Sequence, residues 1–177
     1  MIQQREWRKT IGKDLPVFDG KLEEWPEYLN RVRFSTTKCG FDQEENMSRL
    51  RNTLKGKARD VVKDLMLLCK DPEEVLQSLQ RKFGRPDLII KKLLEKARGL
   101  QPIKDGELES LLGLADAIRH FVVIVESLEK SSYLTNTIIM DKFVSKLSEG
   151  YRLQWATHLD GKAMDEASLK HFSSWLS

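Results

Sequence analysis

Apolar residues in this chain recur at spacings of three and four, which is the period of an amphipathic helix and not that of a strand. Only 5 prolines and 10 glycines interrupt the 177 residues. The spacing therefore predicts an all-α protein.

The segment Gly84-Arg85-Pro86 is the strongest predicted boundary within the chain, because it ends one helix and allows another to begin. We expect an N-terminal lobe over residues 14–84, a linker at residues 85–86 and a C-terminal lobe over residues 87–177. Residues 1–13 are polar and basic, and we expect them to form a flexible lead-in.

Short capping signatures predict where helices of the N-terminal lobe begin and end. Gly40 should end the first helix, and Asp42 should cap the second. Asp71 followed by Pro72 should open another helix, because proline is tolerated at the first helical position.

The longest helix is predicted in the C-terminal lobe, from about Glu107 to Glu129. Its apolar stripe includes Leu108 and Leu112 near the start, and the apolar face covers about two thirds of the circumference. We therefore expect this helix to lie at the centre of its lobe.

Three shorter helices are predicted after it. Ser131 or Ser132 should cap a helix that runs to about Ser148, and Gly150 should break the chain there. A short helix should follow, and Asp165 should open the last one.

The composition excludes fibrous, collagen-like and wholly disordered proteins. With 40% hydrophobic and 32% charged residues the chain can build a core. It has no apolar run of membrane-spanning length and no secretory signal, so we expect a soluble, cytoplasmic protein without a membrane anchor.

No catalytic or metal-binding motif is recognisable in the sequence. The two cysteines and three histidines stand in no zinc-binding or redox spacing, and no glycine-rich loop precedes a helix. For His120, His158 and His171 a solvated or locally bonded ring is the preferred interpretation, with a metal site as the alternative. We expect no enzymatic activity, no cofactor, no bound metal and no small-molecule substrate.

Charge is distributed unevenly along the chain, although the net charge is only +3. Residues 55–99 carry +5 and residues 100–177 carry −3. The basic residues around the predicted boundary are candidates for contact with a polyanion such as RNA, or with the acidic part of a second copy. A solvated basic helix face is the alternative. The candidates are Arg81, Lys82, Arg85, Lys91 and Lys92.

Several short phrases of the sequence, taken together, resemble a known family. They are Leu15-Pro16-Val17-Phe18-Asp19-Gly20, Glu24-Trp25-Pro26-Glu27-Tyr28, Leu54-Lys55-Gly56-Lys57-Ala58, Lys82-Phe83-Gly84-Arg85-Pro86 and Lys146-Leu147 followed by Arg152-Leu153-Gln154-Trp155. In order and spacing they are similar to the Gag polyprotein of BEL/Pao-class LTR retrotransposons. Ser148 stands where that family has a proline.

This resemblance implies a capsid protein with two all-helical lobes similar to those of retroviral capsids. Gln101 and either Glu107 or Glu109 would be the polar residues of a major homology region, although Pro102 replaces its glycine. The zinc knuckles and protease that accompany such proteins are missing from the sequence, so a capsid segment or a domesticated Gag-derived protein is expected. RNA would be contacted mainly by a segment absent here.

The resemblance also suggests a surface for self-association. By analogy, the helix predicted over residues 132–148 would pair across a two-fold axis. Leu134 and Ile138 project away from its main apolar cluster, and with the adjacent Tyr133 they are the predicted contact. In the alternative, Leu134 and Ile138 pack beneath the long helix.

Two functions from different classes remain open from the sequence. The first is a structural capsid protein that forms homo-oligomers and assembles into a shell-like particle enclosing RNA. The alternative is a domesticated monomeric or dimeric adaptor that binds short peptides in a groove near Phe18, Trp25 and Tyr28.

Overall fold

The structure, a computed structural model, describes residue 8, residues 15–160 and residues 168–176. This part of the chain contains nine α-helices and no strand, which confirms the predicted all-α fold. The helices, α1 to α9, run over Trp25–Cys39, Gln43–Thr53, Gly56–Leu68, Pro72–Phe83, Pro86–Arg98, Leu108–Ser127, Thr137–Val144, Glu149–Leu159 and Leu169–Trp175. Short 3-10 helices lie at Leu22–Glu24 and Ser131–Tyr133.

The chain divides into two compact units, residues 1–89 and residues 90–177. The division falls within α5, whereas the sequence placed a linker at residues 85–86, immediately before and at the start of this helix.

The predicted helix ends in unit 1 are confirmed. Gly40 ends α1 with a left-handed φ of 61°, which glycine adopts without steric cost. Asp42 caps α2 in a capping box with Glu45, and the Asp71 side chain accepts a hydrogen bond from the backbone N–H of Glu73 at the start of α4.

Buried side chains from α1 to α4, the four helices that lie wholly within unit 1, form its core. Helix α3 packs on α4, and α2 contacts both. The core also includes Phe18, whose extended backbone is bonded to the end of α2. The Phe18 N–H donates to the Thr53 carbonyl oxygen at 2.9 Å, and the Lys55 N–H donates to the Phe18 carbonyl oxygen at 2.9 Å.

Helix α6 provides much of the core of unit 2, and the C-terminal helix α9 packs against it. The buried part of α6 begins later in the helix than predicted. Leu108 and Leu112 are 63% and 54% exposed, so their assignment to the buried stripe is wrong. The first residue of α6 to be buried is Leu114, because the packing partners cover the helix only from there on.

A helix lies within residues 132–148 as predicted, but its predicted bounds are wrong. A 3-10 turn at Ser131–Tyr133 comes first, and α7 begins only at Thr137. The Asn136 side chain caps α7 by accepting a hydrogen bond from the Ile139 N–H at 3.2 Å. This cap starts a new helix after Leu134 and leaves only Thr137–Val144 helical.

Two further helix boundaries are predicted near the C-terminus, at Gly150 and at Asp165. Gly150 lies inside α8, because the Ser148 side chain caps that helix two residues earlier. Asp165 lies outside the described residues, and within them the Ser168 side chain caps α9. None of the described helices is long and apolar enough to cross a membrane.

Candidate interaction surfaces

The three aromatic residues of the predicted peptide groove form a closed core. Phe18, Trp25 and Tyr28 are at most 1% exposed. The Phe18 ring lies 5.3 Å from Trp25 and 5.1 Å from Tyr28 between centroids, and the Phe83 ring completes the cluster at 5.3 Å from Phe18. The three rings therefore pack within unit 1, and a peptide groove near them stays a prediction.

The polar atoms of this cluster also have partners inside the unit. The Trp25 Nε1–H donates to Gln80 Oε1 at 2.7 Å, and the Tyr28 hydroxyl is 2.8 Å from Thr53 Oγ1. Burial raises the pKa of Tyr28 to about 12, because the phenolate loses hydration. A cleft of about 190 Å³ beside the cluster is lined by Pro16, Val17, Phe18, Glu24, Glu27 and Tyr28.

The predicted polyanion residues are all exposed. Arg81 and Lys82 lie in the last turn of α4, and Arg85 follows it. Lys91 and Lys92 lie on α5 in the other unit. Lys92 Nζ is 3.0 Å from Glu95 Oε2, and this hydrogen bond lowers the pKa of Glu95.

The predicted two-fold contact is only partly at the surface. Leu134 is 6% exposed, and its carbonyl oxygen accepts the Leu169 N–H of α9 at 2.8 Å. Leu134 is therefore a core residue of unit 2, and its assignment as an intermolecular contact is wrong. Ile138 is 65% exposed and Tyr133 is half-buried, so a role for these two residues stays a prediction.

The three residues assigned to a homology region lie on the surface. Gln101, Glu107 and Glu109 are exposed. The Glu107 carboxylate accepts the backbone N–H of Lys104 at 3.4 Å, which stabilises the turn before α6.

Lys146, whose structural role was not predicted from sequence, organises the same loop. Lys146 Nζ donates to the carbonyl oxygens of Arg98 at 2.8 Å and Leu100 at 2.7 Å. The Lys146 carbonyl oxygen accepts the N–H of the buried Ile103 at 2.8 Å. The ammonium thus compensates the partial negative charge at the end of α5, as cations do at helix C-termini.

Arg8 has a comparable role in unit 1. Its guanidinium donates to the carbonyl oxygens of Cys39 at 2.8 Å and Gly40 at 2.7 Å, at the end of α1. It also contacts both carboxylate oxygens of Glu45, at 2.9 and 3.2 Å. Within the predicted lead-in, this residue is therefore bound to α1 and α2.

Large apolar side chains are exposed on ordered helices of both units. In unit 1, Leu67 and Leu68 at the end of α3 are 83% and 89% exposed. In unit 2, Leu108 and Leu112 lie four residues apart and so share one face of α6, and Leu153 of α8 is exposed as well. Such residues mark candidate interaction sites when they occur together on one surface.

The fold and these surfaces define an all-helical protein of two units. Among the described residues no group of three or more histidine, cysteine or acidic side chains could hold a metal ion. The model of the family described as "Protein of unknown function (DUF1759)" matches residues 18–166. The chain belongs to this family. No curated protein and no solved structure matches the chain.

Proposed function

We propose that this protein is a structural capsid protein of the retrotransposon Gag type, whose copies assemble into a shell-like particle that encloses RNA. The family to which the chain belongs is typically found in Gag-like capsid regions of retrotransposons. The all-helical fold and the two units agree with this proposal.

The exposed leucines are the observation that carries the proposal. Leu67, Leu68, Leu108 and Leu112 are each more than half exposed although they lie on well-formed helices. Burying a leucine side chain contributes about 1.5–3 kcal/mol. Such leucines in both units let each copy make several weak apolar contacts, which is what a repeating assembly requires.

The exposed basic residues around α4 and α5 supply the positive charge for contact with RNA. They are Arg81, Lys82, Arg85, Lys91 and Lys92. In this proposal the contact is electrostatic and independent of RNA sequence, because phosphate contacts carry no base information.

Self-assembly is tested by comparing two variants of one helix. L112D removes an exposed apolar side chain of α6, whereas S110D adds the same charge at an exposed polar position nearby. We expect the wild type and S110D to form particles visible by negative-stain microscopy as protein and salt concentrations rise. L112D should need about tenfold more protein, since each 1.4 kcal/mol corresponds to a factor of ten.

Both variants should retain the helical circular dichroism signal, because the substituted side chains lie at the surface. A wild-type chain that stays monomeric under all of these conditions would contradict the proposed function. Equal assembly of L112D and S110D would instead exclude this face of α6 as the contact.

A further inference from the structure

A basic cleft lies between α2 and α3 in unit 1, and none of its residues is among the polyanion candidates predicted from the sequence. Its volume is about 360 Å³. Six residues from these two helices line it: Arg51, Arg59, Lys63, Asp64, Met66 and Leu67. Three of the six are cations and one is an anion, so the lining carries a net charge of +2.

The two cations of α3 are not neutralised by neighbouring side chains. Arg59 and Lys63 are exposed, and neither side chain makes a hydrogen bond or an ion pair with a residue that the structure describes. Nor does Asp64 pair with a cation in that part of the chain. Because Arg59 and Lys63 lie four residues apart, they are neighbours on one face of α3 and repel each other. An anion bound between them would remove this repulsion.

The third cation is held in position from the opposite helix. Arg51 Nη2 donates to the Met66 carbonyl oxygen at 3.1 Å, which fixes the guanidinium of α2 beside the last turn of α3. This bond uses one of the five N–H groups of the guanidinium, so donors remain for a ligand. A guanidinium binds phosphate oxygens through paired N–H groups, and an ammonium binds them as a point charge.

The size and lining of the cleft favour a small phosphorylated anion over a nucleic acid. A volume of about 360 Å³ is in the range of small-molecule sites. None of the six lining residues is aromatic, whereas sites for single-stranded nucleic acid stack bases on aromatic rings. The exposed Leu67, one turn beyond Lys63, also interrupts the basic surface that a continuous phosphate backbone would need.

We propose that Arg51, Arg59 and Lys63 form a binding site for a small oligophosphate anion, one with at least two linked phosphate groups. The Cβ atoms of Arg59 and Lys63 are about 5–6 Å apart at this helical spacing, so each can bind a different phosphate group while Arg51 contacts the same anion from α2. Since one exposed ion pair contributes little, a ligand that engages several cations at once is favoured. The site does not depend on the proposed capsid function.

The site is tested by titrating sodium tripolyphosphate into the full chain by isothermal titration calorimetry at low ionic strength. R59Q and K63Q each remove a positive charge from the cleft, and D64N removes the opposing negative charge. K57Q is the matched control, because Lys57 is an exposed residue of α3 that lies about 200° around the helix from Arg59 and does not line the cleft.

We expect one tripolyphosphate per wild-type chain. The affinity should fall about fivefold or more in R59Q and in K63Q, stay within about twofold in K57Q, and rise about threefold in D64N. The opposite sign expected for D64N separates a contact in the cleft from a general loss of structure. All four variants should keep the helical circular dichroism signal, because the substituted side chains are exposed.

Thermal unfolding gives an independent readout, since an anion that binds only the folded chain raises the melting temperature. Tripolyphosphate should raise it for the wild type and K57Q, and raise it less for R59Q and K63Q. The site would be overturned by equal affinity in the wild type, R59Q and K63Q, or by a wild type that shows neither binding heat nor a shift. An equal fall in K57Q would overturn it too, because net charge and not the cleft would then attract the anion. A short single-stranded RNA that binds through Arg59 and Lys63 when tripolyphosphate does not would overturn the proposed class of ligand.

Discussion

Each unit contains a cluster of aromatic rings, and the two clusters differ in what lies at their edges. In unit 1 the Phe18, Trp25 and Tyr28 rings are closed off from solvent, and their polar atoms bond to Gln80 and Thr53. A cluster with this arrangement stabilises the fold.

In unit 2 the rings of Trp155 and Trp175 contact two half-buried histidines, His158 and His171, whose Nε2 atoms are 3.0 Å apart. Similar packing here orients two imidazole rings. Aromatic residues in a sequence therefore do not by themselves distinguish a closed core from a cluster that also contains polar rings.

The largest expected effect is a difference between the two clusters in how much they contribute to the free energy of unfolding. W25A should lower the free energy of unfolding by about 3–5 kcal/mol, because it creates a cavity and leaves the Gln80 side chain without its partner. W175A removes a half-buried ring and should cost about 1–2 kcal/mol. Denaturant unfolding followed by circular dichroism measures both values. Equal losses would show that the two clusters contribute alike.

The second effect depends on the pKa of Tyr28, which burial raises to about 12. In the unfolded chain a tyrosine titrates near pH 10, so the folded state holds the proton more tightly. This stability is fully present below about pH 10 and is lost as the pH rises through about 12. At pH 11.5 the linkage corresponds to a loss of about 2 kcal/mol relative to pH 9.

Y28F is the matched control for this alkaline loss, since it keeps the ring and removes the titrating hydroxyl. Its free energy of unfolding should decrease less than that of the wild type between pH 9 and pH 11.5. The same decrease in both proteins would assign the alkaline sensitivity to other groups.

Local features of this fold were predictable from sequence because they depend on neighbouring residues. The caps at Asp42 and Asp71 use side chains that bond backbone groups within three residues. Leu134 shows where such reasoning fails. Its predicted outward direction assumed one continuous helix, but Asn136 starts a new helix two residues later.

The polar contacts that organise unit 2 join residues too far apart for a sequence pattern to reveal. Lys146 and its acceptors, Arg98 and Leu100, are separated by 48 and 46 positions. His158 and His171 meet only because α9 returns to pack near α8 and α6. Clusters of exposed apolar residues were likewise beyond prediction, since helical periodicity does not say which part of an apolar stripe a neighbour covers.

The smallest expected effect concerns Lys146. Its ammonium stabilises the loop after α5, as the closed ring cluster stabilises unit 1. K146M keeps most of the aliphatic stem but removes the donor to two carbonyl oxygens. Because a typical hydrogen bond contributes about 0.5–1.5 kcal/mol and these two are exposed or only partly buried, unfolding of unit 2 should become easier by about 1–2 kcal/mol. K142M is the control from α7 and should stay within about 0.5 kcal/mol of the wild type.

Amide hydrogen exchange would show the difference at Ile103, whose N–H is bonded to the Lys146 carbonyl oxygen. Unchanged exchange there in K146M would mean that backbone packing, and not the ammonium, holds the loop.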